Sequence, residues 1–264
     1  MNIIVTIKQV PDTQEIKIDP KTGTLIREGA PTIINPEDKN ALEEALRLKE
    51  TLGDATVIAL SMGPPQAKSV LREAFAMGAD QAVLVSDPAF AGSDTLATSY
   101  VLSMAIKKIK TYGLILCGRQ AIDGDTAQVG PQIAEFLKIP QVTYAQKIDI
   151  EQGLVTVKSN FGKILRTVKV EPPALITVTS AINKPRYKTL NGIWRAFEDN
   201  EILQWSQEDL ELNPMRIGLN GSPTWVRKIS TPVYNRSCLV NEGEPEKLAE
   251  GMLQFLADNN YIST

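Results

Sequence analysis

The segment LILCGRQAIDGDTAQVG, residues 114–130, decides the fold of this chain. It opens with a short apolar run, 114–117, of the kind that forms a buried strand. A loop carrying three glycines follows, and a helix is predicted over about 126–137. A strand, a glycine-bearing turn and a helix in this order are typical of an open parallel sheet, whose ligands bind beyond the carboxyl ends of the strands. The segment therefore predicts both a fold class and the place of a site.

The same alternation occupies the preceding part of the chain. Apolar, β-branched runs predict strands at 2–7, 55–61 and 81–85, and amphipathic spacing predicts helices at about 35–51, 64–78 and 93–110. After Pro140 the pattern becomes antiparallel, with strands predicted at 142–148, 154–159 and 164–170, and one more core strand at 174–178. We predict a Rossmann-like α/β fold: a parallel sheet with an antiparallel extension.

The carboxyl-terminal region loses regular periodicity over 206–241 and regains it in a final helix predicted at about 245–257. A mobile tail and an arm that wraps a partner subunit both remain open. Apolar residues embedded in the irregular stretch favour the partner, namely Met215, Ile217, Trp225, Val226, Ile229 and Val233. We predict an α/β domain over 1–205 and an arm over 206–264.

Composition excludes several classes of function. The net charge of −3 argues against a nucleic-acid-binding protein. The chain has no histidine and only two cysteines, so Ser-His-Asp catalysis is excluded and we predict neither a metal site nor a catalytic side chain. Any chemistry would come from a bound cofactor. With no apolar stretch of about 20 residues and no signal peptide, we predict a cytoplasmic protein without a membrane span. Cys117 ends an apolar run and is predicted to be a core residue.

Three segments could carry the function. In the loop 118–130, Asp123 and Asp125 could accept hydrogen bonds from ribose, and Thr126 could donate to phosphate. Asp125 with Gln128 also has the spacing of a helix capping box. The second segment, GSDTLATS at 92–99, fits either a cofactor contact or a simple helix cap. The third, NKPRYKTLNGIW at 183–194, fits either a surface loop or a docking site.

Together these residues resemble the beta subunit of electron-transfer flavoproteins over essentially the whole chain. The motifs that carry the resemblance are VTIKQVPD at 5–12, NPED at 35–38, SMGP at 61–64, the loop at 118–130 and PRYKTL at 185–190. The resemblance implies a fold related to adenine-nucleotide alpha hydrolases and a carboxyl-terminal arm around an alpha subunit that carries FAD. In ordinary members the beta subunit holds a structural AMP.

Pattern and resemblance together predict the site residues. The predicted cofactor contacts are Thr6, Lys8, Asn35, Met62, Gly63, Asp94, Thr95, Thr98, Gly118, Arg119, Gln120, Ala121, Ile122, Asp123, Gly124, Asp125, Thr126, Ala127, Gln128 and Val129. A partner-recognition loop is predicted at 183–196, with docking through Arg186, Tyr187, Leu190 and Trp194.

One departure from the ordinary family pattern bears on the cofactor. Ordinary members read roughly DDDCNQTG where this chain reads DGDTAQVG, so Gly124 replaces an acid and Ala127 replaces an amide. This version resembles the electron-bifurcating subgroup, in which FAD occupies the AMP site. That resemblance implies hydride transfer from NADH, with one electron going to ferredoxin or flavodoxin. The other would go through the alpha-subunit FAD to an acyl-CoA dehydrogenase-like partner. The alternatives are a non-bifurcating carrier with structural AMP and, more distantly, an adenine-nucleotide hydrolase.

Overall fold

The computed structural model describes residues 1–12, 17–18, 25–26, 31–198, 201–225, 238 and 240–262 of the 264-residue chain. The chain divides into two compact units, Met1–Trp225 and Val226–Thr264. The second unit contains the helix Pro245–Asp258, which agrees with the predicted final helix.

The first unit contains all of the described strands and the other helices. In chain order these are β1 (Asn2–Thr6), β2 (Gln9–Pro11), β3 (Lys17–Ile18), β4 (Leu25–Ile26), β5 (Thr32–Ile34), α1 (Pro36–Leu52), β6 (Thr56–Met62), α2 (Lys68–Met77), β7 (Gln81–Val85), α3 (Thr95–Ile109), β8 (Leu114–Gly118), α4 (Val129–Leu137), β9 (Gln141–Glu151), β10 (Leu154–Phe161), β11 (Ile164–Val170), β12 (Ala174–Val178), α5 (Leu190–Glu198) and β13 (Ile202–Trp205). Four short 3₁₀ turns complete it, at Pro65–Ala67, Pro88–Phe90, Glu208–Leu210 and Pro214–Arg216.

Nine strands form one sheet in the order β11-β10-β9-β12-β8-β1-β6-β7-β13. The strands from β9 through β12, β8, β1, β6 and β7 to β13 pair in parallel, whereas β10 pairs antiparallel with both β9 and β11. The predicted Rossmann-like α/β fold with an antiparallel extension is confirmed. The chain runs outward from β1 to β6 and β7 and then returns to the other side of β1 with β8. The strand order therefore reverses between β1 and β8, where open α/β sheets place their ligands.

Strand β1 shows how the sequence builds this core. Alternate side chains of a strand point to opposite faces of the sheet. Ile3 packs in a core with Leu42 of α1, whereas the next residue, Ile4, packs in a second core with Ile106 of α3. All of these side chains are almost fully buried. A strand covered on both faces reads as a continuous apolar run, and this is why β1 and β8 are visible in the sequence.

The structure differs from the prediction in three places besides the short strands β2 to β5, for which no strand had been predicted. Helix α4 begins at Val129 rather than near 126, because Asp125 and Ala127 have φ values of 50° and 52°, which no helix contains. Helix α5 and strand β13 lie between the strand predicted at 174–178 and the irregular region predicted at 206–241, where no helix or strand had been predicted. Strand β13 is short and pairs only with β7, so it lacks the continuous apolar run of the central strands.

The first unit also extends beyond the boundary predicted at residue 205. Leu210, Leu212 and Ile217 are buried in the core that contains Ile4. The apolar residues Val226, Ile229 and Val233, which had suggested a partner, lie outside the described residues. That 206–264 forms an arm around another subunit stays a prediction. Over the described ranges, no helix has the length and apolar character needed to cross a membrane.

Candidate cofactor site at the carboxyl edge of the sheet

A cavity of about 780 Å³ opens at the carboxyl ends of the parallel strands. Its walls come from the segments that follow β1, β6, β7 and β8, so it lies where the strand order predicts a ligand site. Most of the predicted cofactor residues line it: Thr6, Lys8, Met62, Gly63, Asp94, Thr95, Thr98, Gly118, Arg119, Gln120, Ala121, Gly124, Asp125, Thr126, Ala127, Gln128 and Val129.

The three other predicted residues do not line the cavity: Ile122 and Asp123 belong to the loop 118–130, and Asn35 contacts that loop. Asn35 is fully buried; its Nδ2 donates to the carbonyl of Gln120 at 2.9 Å, and its Oδ1 accepts from the amide of Ile122 at 3.1 Å. Asp123 accepts from the Nζ of Lys8 at 2.8 Å through both carboxylate oxygens. These contacts fix the loop against the amino-terminal end of α1 and the segment after β1.

The loop leaves a run of backbone donors free. The amides of residues 126–129 make no hydrogen bond to any other part of the chain that the structure describes. The left-handed residues Asp125 and Ala127 alternate with their neighbours, and alternation of this kind turns successive N–H groups toward one point. The run also ends at the amino terminus of α4, the positive end of the helix dipole. The arrangement suits a phosphate group.

The capping-box alternative for this loop is wrong. No side chain caps α4, whose first flanking residue is Gln128. The Oδ1 of Asp125 accepts instead from the Nε2 of Gln120 at 2.7 Å. The side chain of Asp125 therefore braces the loop internally and leaves the helix amides free.

Two acidic residues of the site were missed by the sequence analysis. The Asp38 carboxylate accepts from the amide of Lys8 at 2.8 Å and from the amide of Gly118 at 3.0 Å, so it joins the ends of β1 and β8. Glu37 accepts from the amide of Gln120 at 3.2 Å and from the Nε of Arg119 at 3.3 Å. The NPED motif contributed only to the family resemblance, and no contact was predicted for its two acidic residues. Which strand ends these carboxylates reach depends on the order of the sheet.

Burial decides the ionisation of the two titratable groups deepest in the site. Burial raises the pKa of Asp38 from 3.8 to about 7, although the hydrogen bonds from Lys8, Asn35 and Gly118 act in the opposite direction. Burial likewise raises the pKa of Cys117 to about 12, so its thiol stays protonated and unreactive. The prediction that Cys117 is a buried core residue is confirmed.

We expect Asp38→Asn to change how stability depends on pH. Asp38 has a raised pKa in the folded chain, so its stabilising contribution is complete below pH 3.8 and is lost as the pH rises to about 7. Across this window the wild-type protein should lose stability relative to D38N by up to about 1.4 kcal/mol per pH unit. Urea unfolding of both proteins at about pH 4.5 and about pH 8 measures the change. A difference in unfolding free energy that is the same at both pH values would contradict the raised pKa.

In the segment 92–99, capping and cavity lining occur together. The Oδ1 of Asp94 accepts from the amides of Leu96 and Ala97 and so caps α3, while its Oδ2 accepts from the hydroxyl of Thr224 at 2.7 Å. Thr95 donates to the Oε1 of Gln128 at 2.9 Å. The segment therefore also ties the start of α3 to the loop before α4.

The predicted docking residues differ in exposure. Tyr187 and Leu190 are both 88% exposed and Trp194 is 68% exposed, so all three are available to another molecule. Arg186 is not free: its guanidinium donates to Glu43 and Glu50. Leu190 begins α5, so the docking residues lie partly on a helix rather than wholly on a loop.

The reversal point of the sheet and the cavity above it define a Rossmann-like α/β protein with a ligand site at the carboxyl edge. The family model described as "Electron transfer flavoprotein domain" matches residues 22–200. The chain belongs to the family of the electron transfer flavoprotein beta subunits, which functions in electron transfer.

Three relatives illustrate the likeness. The electron transfer flavoprotein subunit beta of Clostridium acetobutylicum is 50% identical over 262 residues, 99% of this chain and all of that protein. The caffeyl-CoA reductase-Etf complex subunit CarD of Acetobacterium woodii is 48% identical over 263 residues, again 99% of this chain and all of that protein. The acryloyl-CoA reductase electron transfer subunit gamma of Anaerotignum propionicum is 45% identical over 270 residues, with the same coverage.

Proposed function

We propose that this chain is the beta subunit of a heterodimeric electron transfer flavoprotein and that its cavity holds FAD. The chemistry that FAD supplies when bound is acceptance of a hydride from NADH and separate release of two electrons, one to ferredoxin or flavodoxin and one through the alpha-subunit FAD to an acyl-CoA dehydrogenase-type partner. The protein's own residues bind and orient the cofactor.

The observation that carries the proposal is the run of amides at residues 126–129 on the wall of the cavity, which make no hydrogen bond to the part of the chain that the structure describes. A pyrophosphate offers several acceptor oxygens at once and could accept from successive amides of this kind. Thr126 and Gln128 belong to this run and place polar side chains at the same wall. Lys8 also lines the cavity, and its ammonium group forms an ion pair with Asp123.

Two features of the cavity support FAD over a smaller nucleotide. The volume of about 780 Å³ lies in the upper part of the range of about 300–1,000 Å³ that small-molecule sites span. A Cβ added at Gly124 would meet no atom within 4 Å, so packing of the chain does not require a glycine there. Its absence of a side chain leaves space beside the loop, and the short side chain of Ala127 does the same.

The proposed partner proteins are supported by different kinds of evidence. Two relatives are named as subunits of complexes with caffeyl-CoA reductase and acryloyl-CoA reductase, and these names favour an acyl-CoA dehydrogenase-type partner. Membership of the beta-subunit family implies an alpha subunit as a partner. Ferredoxin or flavodoxin, the NADH substrate and the cytoplasmic location stay predictions from the sequence.

Nucleotide content tests the proposal. The chain is co-expressed with its alpha subunit, the heterodimer is purified, and its nucleotides are released and quantified. We expect two FAD per heterodimer. One FAD with one AMP per heterodimer would indicate a non-bifurcating carrier, and the assignment of FAD to the cavity of this chain would be wrong.

A matched variant sharpens this test. Gly124→Asp with Ala127→Asn introduces the acid and the amide of the ordinary family loop, at two of the four positions where the two loops differ, in an otherwise unchanged protein. Because both changes add bulk and one adds negative charge beside the phosphate position, we expect the variant to lose the second FAD. Retention of two FAD in this variant would show that the loop does not select the cofactor.

A further inference from the structure

Helix α1 buries polar side chains that the proposed function does not use. Asn40, Glu43 and Glu44 follow Asp38 on this helix, and each is at most 7% exposed. Buried carboxylates are costly unless they are paired, so such a group on one helix needs a structural explanation. All three have partners in the segment 183–186, which ends at the predicted docking residue Arg186 and immediately precedes Tyr187.

Asn183 both accepts hydrogen bonds from α1 and donates hydrogen bonds to it. The Nδ2 of Asn40 donates to the carbonyl and to the Oδ1 of Asn183 at 2.9 and 3.0 Å. In return, the Nδ2 of Asn183 donates to the carbonyl of Asn40 at 3.0 Å and to the Oε2 of Glu44 at 2.9 Å. The start of the docking segment is therefore fixed by four hydrogen bonds to one helix.

Arg186 forms the second set of hydrogen bonds between this segment and α1. Its backbone amide and its Nε both donate to the Oε2 of Glu43, at 3.0 and 2.8 Å, and its Nη2 donates to the Oε1 of the same residue at 3.2 Å. Its Nη1 donates to Glu50 at 2.6 Å. The Glu43 side chain is 4% exposed and that of Arg186 is 32% exposed, so the pair is partly shielded from solvent. Arg186 is thus an anchor, and the neighbouring Tyr187 is left free.

The other end of the same helix holds the cofactor loop. Asn35, Glu37 and Asp38 make the hydrogen bonds to residues 118–122 described above. Asp38 and Glu43 are separated by about 7.5 Å along the helix axis. The helix between them is packed through Ala41 and Leu42, which are fully buried. Both sites are therefore braced by one short, well-packed piece of helix.

We propose that α1 couples the cofactor cavity to the docking segment 183–189, with Glu43 and Arg186 as the positioning residues. The proposal rests on the proposed function in that it needs a nucleotide in the cavity. A ligand that orders the loop 118–130 stabilises its bonds to the first turn of α1. Local opening of α1 then becomes rarer, and the segment anchored at Glu43 opens less often. Because coupling free energy is reciprocal, a partner docked at Tyr187 and Leu190 would in turn tighten cofactor binding.

Hydrogen exchange tests the coupling in the full heterodimer. The nucleotides are removed, and amide exchange is measured with and without added FAD, and separately with AMP. In the wild-type protein we expect FAD to slow exchange over 118–130 and also over 183–189, the latter by about fivefold or more. If FAD did not slow exchange over 118–130, the proposed function would be wrong. If FAD slowed exchange over 118–130 but not over 183–189, only the coupling would be wrong.

Two arginines on Glu43 give a matched pair of variants. Arg186→Gln breaks the link from α1 to the docking segment. Arg47→Gln removes the same charge and the other partner of Glu43, but Arg47 lies within α1 itself. We expect FAD still to protect 118–130 in both variants, and to protect 183–189 in R47Q but not in R186Q. If FAD protected 183–189 to the same extent in the two variants, the role assigned to Arg186 would be wrong.

A third variant covers the case in which R186Q does not fold. Glu50→Gln removes only the more exposed partner of Arg186, since the Glu50 side chain is 61% exposed. We expect this variant to fold and to show weaker protection of 183–189 on FAD addition than the wild-type protein. If FAD protected 183–189 equally in E50Q, in R47Q and in the wild-type protein, Arg186 would not be the residue that anchors the segment to α1.

Discussion

Gly118→Ala is expected to lower the free energy of unfolding by about 3 kcal/mol and to abolish nucleotide binding. A Cβ at this position would lie 2.3 Å from the Oδ1 of Asp38, 2.7 Å from its backbone nitrogen and 2.8 Å from the carbonyl carbon of Glu37. The last two are backbone atoms of a packed helix, so the clash cannot be relieved by rotating a side chain. The end of β8 has to move, and the loop 118–130 moves with it.

Gly124→Ala is the control from the same loop. A Cβ there meets no atom within 4 Å, so we expect its unfolding free energy to stay within about 0.5 kcal/mol of the wild-type value. Urea unfolding and nucleotide quantification on both purified proteins make the comparison. If G118A matched G124A in stability and retained its nucleotide, the close approach of α1 to the end of β8 would be wrong.

Asn35→Ala is expected to weaken nucleotide binding by at least about tenfold, although Asn35 does not line the cavity. The substitution leaves the carbonyl of Gln120 and the amide of Ile122 without their partner, and each unpaired group costs about 1–3 kcal/mol. It also removes the hydrogen bond that Asn35 makes to the Asp38 carboxylate. The loop that carries the free amides would lose its support on α1.

Asn2→Ala provides the matched comparison. Asn2 also donates from its side chain to a backbone carbonyl, that of Thr111 at 2.8 Å, but it lies at the opposite end of β1 from the cavity. Titration of nucleotide-free N35A, N2A and wild-type heterodimers with FAD, followed by flavin fluorescence, gives the affinities. We expect N2A to bind as the wild-type protein does. Wild-type affinity in N35A would mean that the loop keeps its shape without Asn35.

The elements that could be predicted from the sequence are those whose signal is local. The central strands β1, β6, β7 and β8 are buried on both faces and read as apolar runs. Strand β13 has two exposed residues among its four and was missed. Helix α5 was missed because its apolar residues, among them Leu190 and Trp194, face outward and suggested a docking loop instead.

The same distinction holds for the site. Glycines and small polar residues after β8 indicated a phosphate loop, because the local backbone chemistry is visible in the sequence. The prediction that Arg186 docks a partner stays untested, but its donors are occupied by Glu43 and Glu50, more than 130 positions earlier in the chain. No local pattern contains such a pairing.

By itself, the sequence determined the fold class, the family and the loop that forms one wall of the cavity. These follow from the period of apolar residues and from the chemistry of neighbouring residues, which act over a few positions. Only the tertiary structure decided that Asp38 joins the ends of β1 and β8, that Asn35 supports the loop from outside the cavity, and that α1 braces the docking segment as well. Each of these depends on which strands lie side by side, and that is set by packing between segments far apart in the chain.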